Sequence, residues 1–161
     1  MLKKMLKKIL MALLAIIIII QFIRPAKNIS TATTTQDITT VYTVPDTVYK
    51  ILQKACYDCH SNNTRYPWYF NIQPVAWWMQ NHINDAKKEL NFSEYATFTE
   101  KRKVNKMRHI FEEVDEGGMP LDSYTWIHKD AMLSKDERQL VVDWAKNIYA
   151  QMPDSLKKKK K

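Results

Sequence analysis

The chain has 161 residues, enough for one folded unit with tails, and carries 25 Lys and Arg against 17 Asp and Glu, a formal charge of +8. The excess lies at the ends: residues 1–44 hold six bases and one acid, and residues 154–161 hold five bases and one acid, which leaves 45–153 close to neutral. A neutral central part argues against a nucleic-acid partner, two Gly disfavour a phosphate-cradling loop, and two Cys exclude both a disulfide framework and a four-thiolate zinc site.

The first segment reads as an address. Lys3, Lys4, Lys7 and Lys8 precede Ile9–Ile23, which is apolar apart from Gln21. A basic stretch before an apolar one is the export signature. As a helix the apolar part rises only ~22 Å, short for a span unless the Lys side chains snorkel. The expectation is an uncleaved signal-anchor over residues 1–23. It makes the chain a single-pass protein of the cytoplasmic membrane, with the rest on the outer, periplasmic side. A cleaved, secreted form is the alternative.

Residues 24–44 follow as a tether, because Thr fills seven of the thirteen positions from Thr31 to Thr43 and apolar residues are sparse. At the other end, 154–161 closes in five Lys. It reads as a disordered, solvated tail, with contact to anionic headgroups as its functional alternative.

Between them, residues 45–153 are expected to fold as helices joined by loops. Pro45-Asp46 precedes a stripe at Val48, Ile51, Leu52, Ala55 and Cys59. Pro74 starts a second helix, with Val75, Trp78, Met79, His82, Ile83 and Ala86 as its predicted apolar face. Thr99 opens a third, with Val104, Met107, Ile110, Phe111 and Val114 inward and Gly117 as its stop. Ser134 and Glu137 form a capping box for a fourth, whose face is Leu140, Val141, Trp144, Ala145 and Ile148. No hairpin signal appears.

The chemistry concentrates at Cys56-Tyr57-Asp58-Cys59-His60. Cys-x-x-Cys-His is the attachment pattern for c-type haem. Two thiols about one helical turn apart can each add to a vinyl group on one porphyrin edge, and the next His can turn its imidazole under the ring to bind iron. A thioredoxin-like dithiol wants a preceding strand, and none is predicted. A zinc site lacks a fourth ligand, and Cys56, Cys59 and His60 are crowded for it. A disulfide between the two Cys is the remaining competitor. The cofactor expected is one covalent haem c, with Cys56 and Cys59 as attachment points and His60 as proximal ligand.

Met119 is the expected distal ligand. It lies in Gly117-Gly118-Met119-Pro120-Leu121, where two Gly allow a sharp bend and Pro120 stiffens the exit. His82, on the predicted buried face of the second helix, is its main rival, as ligand or as distal acid–base group. His109 and His128 are expected to be surface or capping residues. Tyr66-Pro67-Trp68-Tyr69-Phe70 with Trp77 and Trp78 offers flat apolar surface for packing a cofactor. Arg65 could pair with a propionate. The basic run Lys101-Arg102-Lys103 with Lys106 and Arg108 is a solvated face, or a dock for an acidic redox partner.

The order of these features resembles a single-haem class I cytochrome c. More closely, Cys59-His60-Ser61-Asn62, Tyr66-Pro67-Trp68-Tyr69, Asn91-Phe92-Ser93-Glu94, Met119-Pro120-Leu121 and Leu133-Ser134-x-x-Glu137 resemble the bacterial haem-binding domain family over roughly residues 46–150. That resemblance implies membrane-anchored members, haem binding and electron transfer. The expectation is therefore an all-α, small cytochrome c-like domain around one covalent haem, preceded by an N-terminal membrane helix. It is an electron carrier with redox protein partners, and not an enzyme. A haem-based sensor or small peroxidase with an open distal site is the alternative.

Overall fold

The computed structural model describes residues 1–32 and 35–157. Eight α-helices account for most of them: α1 Leu2–Ile20, α2 Ile38–Val41, α3 Asp46–Ala55, α4 Tyr57–His60, α5 Val75–Glu89, α6 Glu100–Asp115, α7 Asp122–Thr125 and α8 Lys135–Gln151. Short 3-10 turns at Trp68–Asn71, Phe92–Thr97 and Lys129–Ala131 bridge the longer helices. Among the described residues there is no strand, only one isolated bridge between Ile29 and Asn63. The protein is all-α, as its periodicity predicts.

The core lies where α6 and α8 pack along each other and α3 lies against α8. α6 contributes Met107, Ile110 and Val114, α8 contributes Val141, Val142, Trp144 and Ala145, and α3 contributes Val48, Ile51 and Leu52, with Phe92, Tyr95 and Phe98 closing one side. The ends of α6 and α8 obey their sequence signals. The Thr99 side chain accepts from the Arg102 amide. Ser134 Oγ accepts from the Glu137 amide at 3.1 Å while Glu137 Oε2 accepts from the Ser134 amide at 3.0 Å, a complete capping box. Gly117, with φ of 80°, is the left-handed residue that ends α6.

Three expectations are corrected. First, α1 does form, but no helix among the described residues is long and apolar enough to cross a membrane. Lys3, Lys4, Lys7 and Lys8 occupy its first two turns, and the uncharged stretch from Ile9 to Ile20 rises only ~18 Å, against a hydrocarbon thickness of about 30 Å. The single-pass anchor, and the periplasmic-side placement that depended on it, are not supported. Instead α1 projects with no buried residue and is tied at its end: Gln73 N–H donates to Gln21 Oε1 at 2.9 Å, and the Trp77 indole donates to the Ile23 carbonyl at 2.9 Å.

Second, the described residues of 24–44 are not a free tether. Asn28 donates to the Ser61 carbonyl and to Thr64 Oγ1, each at 2.9 Å, and accepts from Lys87 Nζ at 2.5 Å. Ile38 is fully buried in the core, and Asp37 caps α2 through the Thr39 amide. Two well-placed side chains dock a segment whose average composition argues for disorder. Thr33 and Thr34 lie outside the described residues. So do Lys158–Lys161, where most of the predicted tail falls; Asp154–Leu156 makes a 3-10 turn.

Third, the buried residues of α5 are Ala76, Gln80 and Ile83, of which only Ile83 lies on the predicted face. Trp78 is 49 % exposed, Val75 is exposed with it, and His82 is only half-buried. Gln80 is the reason: its carbonyl oxygen accepts from the Tyr66 hydroxyl at 3.0 Å, so a polar residue is satisfied inside.

Candidate functional site

The Cys-x-x-Cys-His motif sits at a break in helical geometry. α3 ends at Cys56, whose φ of −126° stops the stripe before Cys59, and α4 restarts with the His60 amide donating to the Cys56 carbonyl at 2.9 Å. Both cysteines are free thiols. Burial, reinforced by Cys59, pushes the Cys56 thiol up to about 12. Burial, reinforced by Asp58, pushes Cys59 up to about 11. Both are therefore protonated at neutral pH.

His60 is held from behind. Its Nδ1 lies 3.1 Å from the Ala86 carbonyl and 2.9 Å from the Leu90 carbonyl. Carbonyls only accept, so Nδ1 carries the proton and Nε2 keeps its lone pair. Burial holds the imidazole below its usual pKa, which keeps it neutral and able to bind a metal.

A cleft of about 210 Å³ opens beside the motif. Its walls bring together Cys56 and His60 with Met119, 59 residues further along the chain. Leu52, Ala55, Leu90, Phe92, Ile110, Val114, Pro120 and Val141 make it predominantly apolar. Met119 is placed there by its amide, which donates to the Glu113 carbonyl at 3.0 Å just past the end of α6. Cys59 is half-buried one turn from Cys56 and is not among the wall residues.

Several predicted participants lie elsewhere. His82 is not in the cleft; its Nδ1 meets the Trp78 carbonyl at 2.9 Å within α5. The aromatic segment is also outside it: Trp68 is 75 % exposed, and Tyr66 packs on Phe70 with ring centres 4.1 Å apart. Arg65 is committed to Asp58, with Nε to Oδ1 and Nη2 to Oδ2 both at 3.0 Å. His128 stacks on Tyr124 and bonds Tyr69 through Nε2 at 2.8 Å.

Two features were missed. Lys106, His109 and Glu113 line the cleft with Ile110, and Lys106 Nζ pairs with Glu89 at 2.9 Å. The signal was present, since 106, 109 or 110 and 113 share one face of a helix, beside the apolar stripe. The other is Asp58 itself. It is only 6 % exposed, and besides Arg65 it accepts from the Tyr124 hydroxyl at 2.7 Å.

A family model described as a haem-binding domain matches residues 15–147, most of the chain. The chain belongs to the haem-binding domain family. The match takes in residues 24–44 as well as the helices around the cleft. Searches of curated proteins and of solved structures returned no match.

The residues present fit the haem this family is described as binding. The cleft offers one cysteine thiol in its wall and a second a helical turn away, an imidazole whose Nε2 keeps its lone pair, a thioether and predominantly apolar walls. Among the described residues no group of three or more His, Cys, Asp or Glu is placed to hold a metal ion by itself.

Proposed function

We propose that this member of the haem-binding domain family is a single-haem c-type cytochrome that carries one electron at a time and turns over no substrate. The observation that carries this reading is the convergence of Cys56, His60 and Met119, from α3–α4 and from the loop after α6, on one apolar cleft. Bound here, haem would supply an iron that cycles between ferric and ferrous. Cys56 and Cys59 would hold it by thioether bonds, so that a small domain retains its cofactor. His60 would ligate through Nε2, oriented by the carbonyls of Ala86 and Leu90. Met119 would be a second iron ligand, and its soft sulfur would favour the reduced ion and raise the potential. With both ligands supplied by protein, no coordination site would remain for a substrate, which favours a carrier over a catalyst. Leu52, Phe92, Ile110 and Val141 in the wall lower the local dielectric and favour the less charged, ferrous state.

The test is a spectrum of the haem-loaded chain. Ferric protein should have the red sulfur-to-iron charge-transfer band, lose it in Met119→Ala, and titrate as a reversible one-electron couple. Ferrous protein should exclude CO until Met119 is replaced. A wild-type protein without the band that binds CO at once has an open distal face, and the sensor or peroxidase reading then replaces electron transfer.

A further inference from the structure

We propose that Tyr124 is a positioning residue for Met119, acting through a hydrogen bond that ties the Met119 loop to Asp58 inside the haem-attachment motif. The inference rests on the reading of Met119 as an axial ligand. Asp58 is the second of the two residues between the cysteines, and its carboxylate is buried. Arg65 grips it three times, through Nε, Nη2 and its own backbone amide at 3.1 Å. The orientation of this carboxylate is thus set before Tyr124 meets it. The Tyr124 hydroxyl then donates to Oδ2 at 2.7 Å, a short contact to a charged acceptor. Burial, with the Asp58 charge beside it, raises the phenol pKa, so Tyr124 remains a donor.

The loop is held at both ends. Upstream, the Met119 amide is bonded to the Glu113 carbonyl at the end of α6. Downstream, the amides of Tyr124 and Thr125 both return to the Leu121 carbonyl, at 3.0 and 3.1 Å, which makes Leu121–Thr125 one stiff turn. Tyr124 lies in the last part of this turn, and its ring stacks on His128 with centres 4.3 Å apart. His128 is braced in turn by Tyr69. Tyr124–Asp58 therefore joins the far end of the Met119 loop directly to the segment bearing Cys56, Cys59 and His60. The two sides of the proposed iron site are thus linked through protein.

The experiment compares the haem-loaded wild-type chain with Tyr124→Phe, which keeps the stacked ring and removes only the hydroxyl. Thioether attachment should be unchanged. The equilibrium between bound and released Met119 should shift toward release about tenfold, the usual scale for a hydrogen bond to a charged group. It is read as a matching rise in the CO association rate and as bleaching of the charge-transfer band at lower temperature. Asp58→Asn, which removes the charge from the acceptor, should move both readouts in the same direction and is the second variant should Tyr124→Phe not accumulate. A variant with a lower melting temperature but a wild-type band and CO rate would make the bond merely structural and overturn the proposal. A wild-type protein without the band overturns Met119 ligation and this proposal together, so the two failures are distinguishable.

Discussion

The Nδ1 of His60 lies 2.9 Å from the carbonyl oxygen of Leu90, the residue that closes α5. A ring nitrogen between two acceptors, Leu90 and Ala86, has to be the donor, so the tautomer follows from the backbone. In the ferrous, diamagnetic haem-loaded protein, the Nδ1 proton should appear as a slowly exchanging proton–nitrogen correlation from the His60 ring. Observing that proton on Nε2 would remove Nε2 as the metal-binding atom.

Cys56 and Cys59 are expected to carry the thioether bonds. The double substitution Cys56→Ala with Cys59→Ala should abolish retention of haem on a denaturing gel, and each single substitution should leave haem attached through one bond. Covalent haem in the double variant would refute the attachment assignment.

The docking of residues 24–44 predicts a stability effect far from the motif. Ile38 is fully buried against the main core. Ile38→Ala should cost about 2–5 kcal/mol in denaturant unfolding of the haem-loaded chain. A loss of a few tenths of a kcal/mol would mean that the segment does not pack as described.

The two glycines before Met119 are predicted to behave differently. Gly117 has φ of 80°, which an L side chain adopts at a cost of about 1–2 kcal/mol. At Gly118 an added Cβ would meet Glu113 Oε2 at 2.5 Å, but that atom is the free end of a flexible side chain and can move aside. Gly117→Ala should therefore destabilise by about 1–2 kcal/mol, and Gly118→Ala by much less. Equal losses would point to a rigid Glu113.

Glu137 gives the sign of one pH dependence. Its carboxyl is held below its ordinary value by Lys54, 2.5 Å away, and by the Ser134 amide. A carboxylate with a depressed folded pKa contributes stability that is present above its unfolded value, near 4.5, and is lost as pH falls through the folded value. Wild-type stability should fall more steeply than that of Glu137→Gln as pH is lowered from 6 toward 3, over the range where Glu carboxyls usually titrate. Parallel curves would show that the cap carries no charge dependence.

The local signals were legible in the sequence because each needs only near neighbours. The Cys56–His60 spacing, the Ser134–Glu137 box, the Gly117 stop and the α6 stripe through Met107 and Ile110 act within one or two helical turns. What needed the tertiary structure was every choice made between distant segments. Which face of α5 turns inward depended on Tyr66 satisfying Gln80, and that choice carried His82 and Trp78 away from the cleft. Arg65 found Asp58, a carboxylate already buried beside it in the fold. The segments 24–32 and 35–44 were ordered by Asn28 and Ile38, whose partners lie well downstream. Met119 was brought to the same cleft as His60 because α6 ends beside that cleft. Hydrophobic periodicity selects a set of helices, but the partners available to each buried polar group decide how they turn.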